Sequence, residues 1–64
     1  MKLIMKVIHN QFDKTVEIED PKCIPRKGEY ITVFQPPEKE IAGNVTWLET
    51  TYNFDNTVVE VFIE

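Results

Sequence analysis

The chain has no serine, one cysteine, one arginine, two glycines and no long apolar run, and each shortage removes a class of function. Without serine there is no serine nucleophile. Cys23 alone forms no intramolecular disulfide and, with His9 as the single histidine, cannot assemble a zinc cage. A reduced compartment therefore fits, and a cytoplasmic protein is expected. Gly28 and Gly43 stand apart, so neither belongs to a phosphate-cradling loop. The dense Asp/Asn/Gly loop that calcium needs is missing too. Seven basic against eleven acidic residues leave a net charge of −4, and with Arg26 the only guanidinium this argues against a nucleic-acid partner. Nothing approaches the roughly 20 apolar residues that cross a bilayer. The N-terminal apolar run is broken by Lys6, His9 and Asn10 with no small-residue cleavage site, so neither a membrane nor a secretory route is expected.

Apolar and polar residues alternate with period two from end to end, and no segment shows a capped helical pattern. The chain is accordingly read as five strands of a single domain spanning residues 1–64. In the first strand Leu3, Met5 and Val7 share one face. In the last, Val59, Val61 and Ile63 do the same. An antiparallel pairing in which residue numbers sum to 66 sets Lys2 against Glu64, Ile4 against Phe62, Lys6 against Glu60 and Ile8 against Val58. Each outer pair is then opposite in charge or jointly apolar, and such pairs contribute about 0.2–1 kcal/mol apiece.

Between these ends, 14–19 and 29–35 read as the second and third strands, with Val16, Ile18, Ile31 and Val33 inward. The segment Asp20 to Gly28 holds two prolines and reads as a loop, with Ile24 plugging the core and Gly28 at a positive φ. Pro36-Pro37 ends the third strand, and residues 36–42 wrap toward the fourth, with room for one helical turn near Glu38 to Ile41. The fourth strand, about 44–53, is apolar on both faces, which predicts a bulge near Glu49 to Thr51 or an outside contact. Asp55-Asn56 is expected to close a hairpin with two positive φ values. The sum is an all-β, five-stranded antiparallel small barrel with paired terminal strands. It is SH3-like, with an OB-like barrel as the alternative.

No cluster carries chemistry, so no enzyme, catalytic residue, metal or cofactor is assigned. Cys23 with His9 lacks an orienting third group, and a thiol acting as a small hydrophobe is the better reading. The pairs Glu17/Glu19 and Glu38/Glu40 read as solvated surface, because a barrel this small is filled by its own side chains. Asn44-Val45-Thr46 matches a glycosylation sequon that has no meaning without secretion. What remains is surface. Tyr30, Phe34, Phe62, Ile4 and Ile8 alternate away from the core, and Trp47 joins them as a candidate. Either the loops at 20–28 and 36–42 cover these residues, or they form a patch of the kind that marks an interface, rimmed by Lys and Glu.

The run Ile24-Pro25-Arg26-Lys27-Gly28-Glu29-Tyr30-Ile31, then Gly43-Asn44-Val45, then Val58 to Ile63, resembles P-x-x-G-[DE]-x-[IV] … G-x-V … V-x-V. That pattern recurs in short bacterial and phage proteins with SH3-like barrels. The resemblance implies a fold and a bacterial or phage origin, and no active site. The expected function is a small binding module acting through its apolar and aromatic face on a protein partner or as a homo-oligomer. One alternative is an acidic phage-type inhibitor of a host nucleic-acid enzyme, using Glu17, Glu19, Glu38, Glu40 and Glu49. Another is weak single-stranded nucleic-acid binding by stacking on the aromatics.

Overall fold

The computed structural model describes residues 2–12, 14–35 and 39–64. They form five strands, β1 (Lys2–His9), β2 (Lys14–Glu19), β3 (Tyr30–Gln35), β4 (Lys39–Tyr52) and β5 (Asn56–Ile63), with no helix among the described residues. The sheet order is β2-β1-β5-β4-β3. Every pair of strands consecutive in sequence is adjacent except β2 and β3, which form the two edges. Curling brings the sheet close to a closed barrel with one open seam.

The sheet is mixed, which corrects the expectation of an all-antiparallel barrel. β1 and β5 are paired, but they run parallel, with Ile4 opposite Val58, Lys6 opposite Glu60 and Ile8 opposite Phe62. The reason is counting: if each of five strands reverses the one before it, the first and the last point the same way. A register with a constant sum and one with a constant difference both match even positions with even ones. The inward and outward assignments therefore survive the reversal, and Lys6–Glu60 is the one pair common to both.

The core is aliphatic. Met5, Val7, Val16, Val33, Ile41, Val45, Val59, Val61 and Ile63 are buried, and Leu3, Ile18, Ile24, Ile31 and Leu48 pack against them. Valine and isoleucine dominate because a branched Cβ both suits the extended backbone and fills a narrow interior.

β4 begins earlier than expected. Ile41, already in β4, faces the core opposite Val33, so the residues before Asn44 belong to a β3–β4 hairpin. Pro36, Pro37 and Glu38 lie outside the described residues; the helical turn proposed there is replaced by strand from Lys39 onward. The bulge falls between Val45 and Trp47, earlier than Glu49 to Thr51. Thr46 is the extra residue, and its hydroxyl donates to the Phe62 carbonyl at 3.3 Å. Before the bulge odd-numbered residues point inward; after it Leu48 and Thr50 sit opposite the core residues Val61 and Val59. Trp47 is thereby turned out.

Two turns place the remaining loops. Glu29 N–H donates to the Arg26 carbonyl at 3.1 Å, and Gly28 has φ +95°. Gly28 N–H donates to Val45 O while Val45 N–H donates to Glu29 O, both at 2.8 Å. Gly28 and Glu29 thus oppose Val45 in a glycine-led bulge that feeds the chain into β3. At the β4–β5 hairpin, Asn53 N–H donates to Asn56 O at 2.8 Å with Phe54 and Asp55 at the tip. Neither Asp55 nor Asn56 has a positive φ, contrary to expectation; among the described non-glycine residues only Asp20 does.

Candidate binding surface

On the outer face of the sheet the strand pairings arrange side chains in rows. One row runs Thr15, Ile8, Phe62, Trp47 across β2, β1, β5 and β4; the next runs Glu17, Lys6, Glu60, Glu49; a third runs Glu19, Ile4, Val58, Thr51. A mostly apolar band, a charged band and a mixed band with Ile4 and Val58 at its centre therefore follow one another down one wall. Ile4, Ile8 and Phe62 are half-buried there, and Trp47 is 58% exposed. The Lys27 ammonium sits 5.9 Å from the Trp47 ring centroid, within range of a cation–π contact.

Tyr30 and Phe34 belong to the same outer face but to β3, opposite Asn44 and Glu40, and both are exposed. They lie four residues apart, about 13 Å along an extended strand. The six proposed contact residues thus divide into the central band of Ile8, Phe62 and Trp47, the β1 position Ile4, and the β3 pair. The Asp20–Gly28 loop leaves Tyr30, Phe34 and Trp47 uncovered.

Three further aromatics were not singled out from sequence. Phe12, Tyr52 and Phe54 are exposed, with Phe54 fully so at the β4–β5 tip. A signal was available for two of them: Phe12 follows Asn10, and Phe54 stands between Asn53 and Asp55, and turn residues of this kind leave the intervening side chain outside the sheet. With them counted, six of the chain's four phenylalanines, two tyrosines and one tryptophan are exposed, and the seventh, Phe62, is half-buried. No phenylalanine, tyrosine or tryptophan ring is part of the buried core.

A groove of about 730 Å³ occupies the seam between β2 and β3. Met5, Ile18, Ile24, Ile31, Val33 and Phe34 give it an apolar floor and walls, and Arg26 and Glu29 stand at the loop end. The Arg26 amide donates to the Glu29 carboxylate, which fixes that corner. Cys23 is exposed on the rim of this groove. His9 lies elsewhere, buried at the end of β1, its Nδ1 accepting from Gln11 N–H at 3.2 Å and its ring 4.6 Å from that of Phe12. The two residues line different hollows, so the geometry does not assemble a nucleophile with a base.

Among the described residues no group of three or more His, Cys, Asp or Glu side chains is placed to hold a metal ion. No helix among them is long and apolar enough to cross a membrane. No family model, curated protein or solved structure matches this chain.

Proposed function

We propose that this domain is a non-enzymatic binding module that presents its outward aromatic and aliphatic side chains to a protein partner or to a second copy of itself. The observation that carries the reading is that no phenylalanine, tyrosine or tryptophan belongs to the buried core. Aromatic side chains are the largest apolar groups available, each burying roughly 150–250 Å² when covered. A fold that packs itself with aliphatic side chains and methionine leaves that capacity for another surface. Trp and Tyr are also the residue types that dominate binding energy at interfaces. The charged row of Glu17, Lys6, Glu60 and Glu49 flanks the Ile8–Phe62–Trp47 band on one side with the polar border expected of an interface, and it separates that band from Ile4.

The test is capture of partners from the native host with wild type and with Trp47→Ala. Retained stability with lost capture supports the reading; capture unchanged by Trp47→Ala, Tyr30→Ala and Phe34→Ala together removes it.

A second reading takes the carboxylates as the active feature, the domain acting as an acidic inhibitor of a nucleic-acid enzyme. It is supported by Glu17, Glu60 and Glu49 sharing one outward row, with Glu19 in the next. Lys6 in the middle of that row weighs against it. Single-strand binding by the exposed rings is the third, and titration with a labelled oligonucleotide at low salt decides it. SH3-like kinship stays within the proposal: the six-residue β2 and β3 support it, while the fourteen-residue β4 weighs against it and parallel β1 and β5 take away the antiparallel termini on which it partly rested. A cytoplasmic location and a bacterial or phage origin belong to the same reading, and the single cysteine supports the former.

A further inference from the structure

The two edges of the seam are built differently. β2 carries Lys14, Glu17 and Glu19 among its six residues, the charged pattern that keeps an edge strand from pairing. β3, YITVFQ, carries no charge, no glycine and no proline. It is a six-residue edge of high β-propensity with none of the usual guards.

The orientation of its backbone follows from the ladder with β4. Val45 N–H bonds to Glu29 O, and peptide groups then alternate, so Ile31 and Val33 direct their N–H and C=O toward β4. Tyr30, Thr32 and Phe34 direct theirs to the open seam. These three residues also carry the outward side chains of the strand.

About Thr32 the strand is symmetric in chemical class: aromatic, branched aliphatic, threonine, branched aliphatic, aromatic, over Tyr30-Ile31-Thr32-Val33-Phe34. An interface between identical chains related by a two-fold axis must be self-complementary, each residue meeting on the partner the residue that it meets in return. An antiparallel pairing centred on Thr32 meets that condition. Tyr30 falls opposite the partner's Phe34, Phe34 opposite the partner's Tyr30, Thr32 opposite the partner's Thr32, and on the inner face Ile31 opposite the partner's Val33. All three seam-facing peptide groups on each copy find counterparts. Aromatic pairs and Thr–Thr pairs are among the favourable cross-strand combinations. Moving the axis to Ile31 or Val33 sets an aromatic against threonine and leaves the other aromatic without a counterpart in the strand.

We infer that β3 is a self-recognition edge, and that two copies of this chain pair antiparallel through Tyr30–Phe34 about a two-fold axis at Thr32, joining their sheets into one of ten strands. The inference deepens the binding-module reading by naming the partner at this edge, and it rests on that reading only for Tyr30 and Phe34. The inward Ile31 and Val33 of each copy then meet over the apolar groove that the seam leaves open.

Sedimentation of the wild-type chain across a concentration series is expected to show a 15 kDa species, twice the 7.5 kDa of one copy. Thr32→Pro removes the donor at the axis without touching a bond to β4, and edge strands tolerate proline on the free side. It should weaken dimerisation by roughly ten- to a hundredfold while leaving the circular dichroism of the monomer unchanged. Thr32→Lys, which sets two like charges at the axis, should do the same and covers the case in which the proline variant fails to fold. Trp47→Ala should leave the dimer intact, even where it abolishes capture of other proteins. A wild type that is monomeric at millimolar concentration overturns the inference, as does a dimer that survives both Thr32 changes or dissociates on Trp47→Ala.

Discussion

At the scale of single residues, the two glycines are required for different reasons, and the difference is measurable. A Cβ built on Gly43 would lie 2.5 Å from the carbonyl oxygen of Glu64 and 2.9 Å from its carbon. That backbone is fixed by Asn44 N–H to Glu64 O at 2.9 Å and Glu64 N–H to Asn44 O at 3.0 Å. Gly43→Ala must push these strands apart, and a loss of about 1–3 kcal/mol in urea unfolding is expected. Gly28 meets nothing within 4 Å, and its constraint is the φ of +95° alone. Gly28→Ala should cost about 1–2 kcal/mol, and Gly28→Asn less, since asparagine tolerates positive φ. Gly43→Asn should give no such relief. The positive φ at Gly28 was readable from its place between a proline-rich loop and a strand. The need for glycine at 43 was not, because it arises from a chain segment twenty-one residues later that no local pattern reveals.

At the scale of elements, the sequence was informative about faces and misleading about the direction of the terminal strands, read as antiparallel and found parallel. Alternation in MKLIMKVIH and TVVEVFIE identified Met5, Val7, Val59, Val61 and Ile63 as inward, and all five are buried. Pairing logic based on charge favoured the wrong direction: Lys6 meets Glu60 either way, but only the antiparallel register also sets Lys2 against Glu64, and in the sheet Lys2 stands opposite Asn56. In β4 the face reversal was legible in its doubled apolar pattern, while its position was set by Thr46, whose hydroxyl bonds to Phe62 O. The row Glu17, Lys6, Glu60, Glu49 gives the element-scale prediction. Lys6 stands opposite a glutamate on either side, Glu17 on β2 and Glu60 on β5. Lys6→Glu would turn the row into four consecutive carboxylates. The expected loss is about 1–2 kcal/mol at low salt, since favourable directly opposed pairs contribute about 0.2–1 kcal/mol each and like charges reverse the sign. Raising the salt concentration should recover part of it. Lys6→Met, which keeps the stem and removes the charge, should lose less and show little salt dependence.

At the scale of the whole molecule, β5 holds the sheet together. It lies between β1 and β4, and without it the order β2-β1-β5-β4-β3 separates into two hairpins that no strand joins. β5 also supplies Val59, Val61 and Ile63, the last two fully buried. An isolated two-stranded hairpin is at best marginally stable in water, so neither half should persist alone. A chain ending before Asn56 is therefore expected to lose its β-sheet circular dichroism and its cooperative unfolding transition altogether, with no half-size transition left behind. Amide exchange in the intact protein should follow the same hierarchy. The β5 amides that bond to β1 and β4 open only with global unfolding and exchange slowest, while the edge strands exchange by local opening. On β3 the amides of Tyr30, Thr32 and Phe34 have no partner within the monomer's sheet and should exchange fastest in dilute solution. Their slowing as concentration rises, with Ile31 and Val33 little changed, would locate the association at this edge. Uniform protection of all five at every concentration would mean that the seam closes within a single copy, and that β3 is paired with β2 in solution.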